Sequence, residues 1–214
     1  MLIPMFGDLA KKHLPGVETF HMSDDSLIRN TIAAGKLTDN TARRVAGMIG
    51  LARDGGADVV LVTCSSIGLA TEMAREHCDF PVLRIDEAMA EAAVAAGRTI
   101  GVAATLPTTL DPTVDLLQRT AQHLGRQVTI VPRLAAGAFD AVLAGDTARH
   151  DELVLSILRE LRDAVDVVVL AQASMARVSA LLPPDGAPIL ASPELAVLRV
   201  AETIAKMPKA GGTV

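Results

Sequence analysis

The sequence predicts an α/β protein, because short apolar runs alternate with amphipathic stretches along its 214 residues. The apolar runs are rich in Val, Ile and Leu, and Gly, Pro or charged residues separate them. Continuous apolar strands that alternate with helices are typical of parallel sheets covered by helices on both faces. Hydrophobic residues make up 50% of the chain, which is enough for a sizeable core, and no apolar run approaches the roughly 20 residues of a membrane span.

Eight predicted strands follow one another along the chain, with amphipathic stretches between them. They lie at residues 2–6, 17–22, 57–64, 81–86, 99–105, 127–132, 165–172 and 187–192. Stretches such as TARRVAGMIGLARDGG and DELVLSILRELRDAV have apolar residues at helical spacing and therefore predict helices. The segment PTTLDPT at 107–113 carries two prolines, which favour a restrained loop that could close over a site and exclude water.

A strand followed by a turn of small residues occurs twice in the sequence. VVLVTCSSIGLA at 59–70 is matched 108 residues later (167 − 59) by VVVLAQASMARV at 167–178, which aligns Cys64 with Gln172. The next strand is repeated as well, since FPVLRIDEAM at 80–89 resembles APILASPELA at 187–196. We interpret the repeat as an internal duplication.

The duplication predicts two pseudo-symmetric lobes, each a mostly four-stranded parallel sheet flanked by helices. The lobes are predicted at residues 1–97 and 98–193, and the C-terminal helix at 194–214 is predicted to pack back on the first lobe. Ligands of open parallel sheets bind beyond the carboxyl ends of the strands. Two facing lobes would therefore place Cys64 and Gln172 on opposite walls of one cleft, which is the predicted active site.

Cys64 is the candidate catalytic residue, because it ends a strand just before a helix begins. Unpaired N–H groups and the helix dipole favour the thiolate there, which makes Cys64 a general base or, when protonated, a general acid. Ser65, Ser66 and the same N–H groups can hold a carboxylate or an enolate oxygen. The alternative from position alone is a buried structural cysteine capped by ordinary serines.

Polar residues of the second lobe complete the predicted substrate site. Gln172 can orient a carboxylate or carbonyl through its amide, with Ser174 as a second donor. The alternative for Gln172 is a helix-entry residue that satisfies only the local backbone. Thr105, Thr108 and Thr109 stand at the entry to the second lobe and add hydroxyl donors.

Charged residues next to the predicted strands are interpreted as helix caps. Asp86 and Glu87 stand where a helix begins. His21, Asp24 and Asp25 lack a spacing specific to metal sites, and Asp24 or Asp25 is predicted to cap the next helix. No metal is predicted there. No cofactor is predicted either, and neither GxGxxG nor GxxxxGKS/T follows any strand to support a nucleotide.

Motifs spread over nearly the whole chain resemble the aspartate/glutamate/hydantoin racemase superfamily. In chain order they are HMSDDSLI, VTCSSIG, PVLRIDEAM, TIGVAATLPTTLDPT, VVLAQASMARV and PILASPELA. The resemblance implies two lobes around a cofactor-free site, in which one cysteine from each lobe faces the substrate α-carbon. Cys64 matches the first of these cysteines. The second position is Gln172, which exchanges no proton near neutral pH, so the sequence does not support a two-base mechanism.

Two kinds of relative show what a single thiol can do in this superfamily. Arylmalonate decarboxylases also keep one cysteine, in their second lobe, and use it to protonate an enediolate after loss of carbon dioxide. Ser65 and Ser66 would match the hydroxyl-bearing oxyanion residues of that branch. Isomerases that use the first-lobe cysteine as a nucleophile or acid are equally compatible, and maleate isomerase is a related protein.

The predicted function is therefore cofactor-independent proton transfer at the α-carbon of a small carboxylic acid, by an isomerase of the racemase type or by a one-thiol decarboxylase. The alternative is a two-lobed binding or sensor protein without catalysis. A net charge of −5, scattered basic residues and the lack of Trp and Tyr argue against nucleic acid as a partner. The first residues lack a secretory pattern, so a cytoplasmic protein is expected, with no membrane partner. The Ala-rich helices suit tight packing or a homodimer face.

Overall fold

The computed structural model describes residues 2–208. This part of the chain contains ten α-helices and six strands. The strands form two parallel sheets flanked by helices, which confirms the predicted α/β class. The strands are β1 Val60–Val62, β2 Val82–Arg84, β3 Thr99–Ala104, β4 Thr129–Leu134, β5 Val167–Leu170 and β6 Ile189–Ala191. The helices are α1 Leu2–His13, α2 Asp25–Ala34, α3 Asp39–Asp54, α4 Gly68–Arg75, α5 Glu87–Ala96, α6 Pro107–His123, α7 Ala138–Leu143, α8 Thr147–Arg162, α9 Ala176–Ser179 and α10 Ser192–Lys206.

The two sheets differ in size. The small sheet consists of β1 and β2, and the large sheet has the strand order β4, β3, β5, β6, with every neighbouring pair parallel. Helices α5 and α6 pack on one face of the large sheet through residues such as Met89 and Leu117. Helix α8 packs on the other face through residues such as Leu158. Because all neighbouring strands are parallel, the residues that follow the strands of one sheet lie at the same end of that sheet.

The prediction of four strands in the first half is wrong. The structure has two strands there, β1 and β2, and the segments 2–6 and 17–22 are not strands. Residues 2–6 belong to α1, whose apolar residues recur at the three- and four-residue spacing of a helix, with Phe6 buried against α10. Residues 17–22 form no regular element. Without these strands β1 is only half-buried, whereas the residues of the repeated strand β5 are 0% exposed. The four strands predicted in the second half are all present.

The sequence repeat is also a repeat of backbone structure. A 3₁₀ turn at Ser65–Ile67 leads from β1 into α4, and a second 3₁₀ turn at Ala173–Met175 leads from β5 into α9, 108 residues later (173 − 65). Cys64 before the first turn has φ −136° and ψ 113°, and Gln172 before the second has φ −129° and ψ 132°. The backbone thus presents a thiol and an amide from equivalent positions.

Helix α10 returns to the elements of the small sheet. Its residues Ala196 and Val200 share an apolar cluster with Phe6 of α1 and with Ile85, which follows β2. Glu194 near the start of α10 accepts hydrogen bonds of 2.7 Å from Lys12 and His13 at the end of α1. The predicted helix at 194–214 begins at Ser192 in the structure, and residues 209–214 lie outside the described part of the chain.

The prediction of a mobile loop at 107–113 is wrong, because this segment forms the first turns of α6. Pro107 is the first residue of the helix, where its missing N–H would have no intrahelical partner and its fixed φ suits the helix. Pro112 lies inside the helix, where it removes one bond from the first turns without ending them. Thr108 and Thr109 are consequently held on a helix.

None of the helices in residues 2–208 has the length and apolar character that crossing a membrane requires.

Gly68, the first residue of α4, is predicted to tolerate no larger side chain. A Cβ at this position would overlap the guanidinium of Arg84, which is itself buried. We expect Gly68→Ala to lower the free energy of unfolding by roughly 1–3 kcal/mol, as overpacking does elsewhere. Gly47→Ala in the exposed face of α3, where a Cβ meets nothing within 4 Å, should instead raise it by about 0.5–1 kcal/mol. Urea titration of both variants measures the difference, and equal effects would contradict the prediction.

Candidate active site

The carboxyl ends of three strands carry the predicted site residues. Cys64 follows β1, Thr105 follows β3, and Gln172 follows β5. The two halves meet at the first turn of α6, which contacts the 3₁₀ turn after Cys64. Ala173, next to Gln172, packs in the same apolar cluster as Ile85 of the first half. The 3₁₀ turns after Cys64 and Gln172 and the start of α6 thus lie in one region.

Cys64 is a half-buried free thiol, and its surroundings favour the protonated form. Burial raises the pKa of the Cys64 thiol, because it penalises the charged thiolate. The charge of Asp86 acts in the same direction. The backbone N–H groups of Ser66 and Ile67 and the Ser66 hydroxyl lower the pKa of Cys64, but they do not outweigh burial. The expectation that the helix start favours the thiolate is therefore corrected, because burial outweighs the N–H groups and raises the pKa of Cys64.

The serines after Cys64 are buried where the two halves meet. Ser65 is 7% and Ser66 is 5% exposed. The Ser66 hydroxyl forms a 2.9 Å hydrogen bond with the hydroxyl of Thr109 on α6. This bond joins the turn that carries the thiol to the helix that follows β3.

Gln172 is held in one orientation by Thr105. Its Oε1 accepts hydrogen bonds of 2.6 Å from the Thr105 backbone N–H and 3.0 Å from the Thr105 hydroxyl. Its Nε2 lies 2.8 Å from the same hydroxyl oxygen. Since the oxygen of the amide is occupied, the Nε2 group is the part of Gln172 that has hydrogen-bonding capacity left. No hydrogen bond between described residues joins Gln172 directly to Cys64.

Two buried hydroxyls near the strand ends have no hydrogen-bond partner in the described part of the chain. Thr108 Oγ1 is buried and has no hydrogen-bond partner within residues 2–208, and the same is true of the Ser192 hydroxyl after β6. A buried polar group without a partner is costly, so each is a donor that a ligand could satisfy. Ser174 is half-buried in the second 3₁₀ turn.

The interpretation of Asp86 as an N-cap is wrong. Asp86 precedes α5, but its side chain accepts no hydrogen bond from that helix. Its carboxylate instead takes two hydrogen bonds from Arg84, 2.7 Å from Nε and 2.9 Å from Nη2. The alternation in RID could have indicated this pair, because residues two apart in an extended segment point to the same side.

Asp24 acts as the predicted cap of α2. Asp24 is the N-cap of α2, accepts a 3.0 Å hydrogen bond from the Ser26 N–H, and pairs with Arg44. Residues 2–208 contain no group of three or more His, Cys, Asp or Glu side chains placed to hold a metal ion.

The fold and its repeated turn define a class of parallel α/β proteins in which two equivalent strand ends present polar side chains to one region. The model of the Asp/Glu/hydantoin racemase family matches residues 4–200. The chain therefore belongs to the Asp/Glu/hydantoin racemase family, as its motifs indicated. No curated protein is a significant match.

Solved structures of several racemases share this fold. The aspartate racemase of Picrophilus torridus has a TM-score of 0.65 at 14% identity, over 94% of this chain and 89% of that one. The allantoin racemase of Klebsiella pneumoniae has a TM-score of 0.62 at 20% identity, over 94% and 81%. A glutamate racemase isoform of Bacillus anthracis has a TM-score of 0.62 at 18% identity, over 77% of this chain and 64% of that one. Identities this low establish the fold alone.

The Cys64 thiol is expected to titrate above an ordinary thiol. In a Cys78→Ser background, the pH midpoint for alkylation of folded protein by iodoacetamide should lie above the midpoint of the same protein unfolded in urea, because burial disfavours the thiolate. A folded midpoint equal to or below the unfolded one would contradict the raised pKa of Cys64.

The contact between Ser66 and Thr109 is expected to couple the two halves. Thr109→Val should cost roughly 1–3 kcal/mol, because it leaves the buried Ser66 hydroxyl without this partner. Ser66→Ala with Thr109→Val should cost less than the sum of the two single changes, since no orphaned hydroxyl remains. Denaturant unfolding of the four proteins in the cycle measures the coupling, and additive effects would show that the hydroxyls do not interact.

Proposed function

We propose that this protein is an enzyme that transfers a proton at the α-carbon of a small carboxylic acid, with Cys64 as the single acid. Membership of the racemase family supports the class of reaction. The observation that carries the proposal is the repeated turn: a buried thiol with a raised pKa follows β1, and an amide fixed by Thr105 follows β5 at the equivalent backbone position. A thiol can give a proton to carbon, whereas the Gln172 amide can only donate a hydrogen bond.

The surrounding donors suit the charge that develops in such a reaction. Proton transfer at carbon beside a carboxylate passes through an enediolate, whose oxygens carry negative charge. The N–H groups of the 3₁₀ turn and the hydroxyls of Ser65 and Ser66 stand beside Cys64. Thr108 Oγ1 and Gln172 Nε2 are further donors. We assign these groups to the carboxylate and the enediolate.

We further propose that residues 1–97 and 98–193 act as two lobes, and that substrate binds between them. Contacts across this boundary include the Ser66–Thr109 hydrogen bond, the Glu72–Arg119 ion pair and the packing of α5 on the large sheet.

A malonate-type acid fits a thiol that is protonated at rest. The bond between the α-carbon and one carboxylate breaks, carbon dioxide leaves, and the electron pair stays on the enediolate. The Cys64 proton then moves to the α-carbon, and water reprotonates the thiolate. The enzyme needs no base for this sequence, which agrees with the absence of a second thiol at Gln172.

Isomerisation of an amino or hydroxy acid is the second candidate, and family membership favours it. In that reaction Cys64 must first be a thiolate, because it has to remove the α-proton. The two candidates therefore have opposite pH dependence. The rate of protonation by the thiol falls as pH rises through the pKa of Cys64, and the rate of abstraction by the thiolate rises over the same range.

The test is deuterium incorporation at the α-carbon, followed by NMR in D₂O over malonate, hydroxy and amino acids. We expect label to enter at least one of them, and Cys64→Ala to lower the rate by about 10²–10⁴-fold, the usual contribution of a positioned acid or base. Cys78→Ala is the matched control and should retain the rate, because Cys78 follows the opposite end of α4, where its thiol donates to the Ala74 carbonyl.

A different pattern would favour the binding or sensor alternative. In that case ligands would bind with equal affinity before and after Cys64→Ala, and no label would enter any of them. Turnover that survives Cys64→Ala would also contradict the proposed mechanism.

A further inference from the structure

The side-chain amide of Gln172 is held so that its oxygen and nitrogen cannot exchange places. The backbone N–H of Thr105 donates a 2.6 Å hydrogen bond to Gln172 Oε1, and the Thr105 hydroxyl donates to the same oxygen over 3.0 Å. A backbone N–H can only donate, so a reversed amide would place its NH₂ group against another donor. The oxygen of Gln172 must therefore face Thr105.

The fixed oxygen leaves the amide with a donor alone. Both lone pairs of Oε1 are occupied by the two bonds from Thr105. Nε2 lies 2.8 Å from the Thr105 hydroxyl oxygen, which takes one of its two hydrogens, and the second hydrogen has no partner within residues 2–208. Gln172 is half-buried, so the amide is not sealed inside the second half. The position equivalent to Cys64 thus offers an N–H and no free lone pair.

A short series of contacts connects this amide to the turn that carries the thiol. Gln172 is bonded to Thr105, which directly precedes α6 in the chain. Thr109, in the first turn of α6, shares a 2.9 Å hydrogen bond with Ser66. The backbone N–H and the hydroxyl of Ser66 act on the Cys64 thiol. The amide and the thiol therefore belong to one connected site.

A structural link between two strands does not by itself require an amide at position 172. The bonds join residues 67 apart in the chain and tie the end of β5 to the end of β3, its neighbour in the large sheet. A carboxylate in the same place would accept both bonds from Thr105 equally well. What the amide adds is the second N–H, which the link does not use. A ligand is the partner that this group lacks.

We propose that Gln172 selects substrates whose α-carbon carries, besides one carboxylate, a second group that accepts a hydrogen bond. A second carboxylate fits best, since hydrogen bonds to charged acceptors are roughly twice as strong as neutral ones. An α-ammonium group has only hydrogens on its nitrogen and would meet the Gln172 N–H as donor against donor. The substrate class is therefore that of malonate-type acids, and α-amino acids are excluded. The inference rests on the proposed function for the place of the substrate.

The test compares two small acids that differ in one substituent of the α-carbon, methylmalonate and the amino acid alanine. Isothermal titration calorimetry in the Cys64→Ala background measures both affinities without turnover, and methylmalonate should bind at least about 10-fold more tightly. Gln172→Met should weaken methylmalonate binding by about 10-fold or more and leave alanine binding no weaker, because one hydrogen bond to a charged group is lost. Methionine adds no charge, so the ratio of the two affinities reports the hydrogen bond.

Gln122→Met is the matched control, because Gln122 is an exposed glutamine in the last turn of α6, at the other end of the large sheet. It should leave both affinities unchanged, and circular dichroism checks the folding of each variant. If Gln172→Met lowered both affinities equally, the amide would serve only the structure of the site. That result, or an unchanged ratio, would overturn the inference.

Gln172→Glu is the second variant, in case Gln172→Met does not fold. Its carboxylate accepts both bonds from Thr105, and its other oxygen presents a lone pair where Nε2 presented a hydrogen. We expect the order of the two affinities to reverse, with alanine as the tighter ligand. Gln122→Glu adds the same charge at the remote position and should keep the original order. An unchanged order in Gln172→Glu would overturn the inference.

The outcome is distinguishable from that of the deuterium experiment. Deuterium exchange without any preference between the two ligands would leave proton transfer standing and overturn the role of Gln172. A preference for methylmalonate that Gln172→Met abolishes, without exchange in any acid, would support the role of Gln172 and contradict proton transfer. Failure of methylmalonate to bind would overturn the inferred substrate class.

Discussion

Partial removal of the Cys64 sulfur from water is the constraint on which the chemistry of the site depends. A thiolate there would lose hydration, and the N–H groups of one short turn do not fully replace it. The position after β1 would favour a nucleophilic or basic thiolate in a more open site. Burial reverses that preference and raises the pKa of Cys64, which supports the proposed role of proton donor.

The two halves use one backbone unit for different chemistry. Cys64 and Gln172 have nearly the same φ and ψ, and each precedes a 3₁₀ turn and a helix. The first unit has a buried ion pair behind it, whereas the second has its side chain fixed by Thr105. A repeated backbone unit therefore presents a thiol in one half and an amide in the other. The proposed proton transfer at one face of an enediolate depends on this asymmetry.

Most of the fold could be predicted from the sequence, because it depends on apolar periodicity and on the repeat. The strands from residue 57 onward were found, since each is a short run of apolar residues before a polar turn. The segments 2–6 and 17–22 were misassigned for a physical reason. A short apolar run fits a helix or a strand equally well, and strand formation depends on a neighbouring strand that the local sequence does not reveal. The prolines of segment 107–113 predicted a loop, but Pro is accepted at the first position of a helix, as at Pro107, and Pro112 lies inside α6 without ending it.

The site was only partly predictable for related reasons. The repeat identified Cys64 and Gln172 as equivalent positions, but it did not reveal that burial outweighs the helix start at Cys64. The role of Asp86 was missed, because a carboxylate before a helix resembles a cap until its partner is seen. Contacts between distant segments, such as Ser66 with Thr109, need the tertiary structure.

The central claim is that the Cys64 thiol gives its proton to one face of the enediolate. The most direct test is the stereochemistry of the product formed from a prochiral malonate-type acid. Chiral chromatography of the monoacid gives the ratio of its two enantiomers. One sulfur on one side of the enediolate predicts a large excess of a single enantiomer. Equal amounts of both would contradict it, because a proton would then reach the carbon from either side.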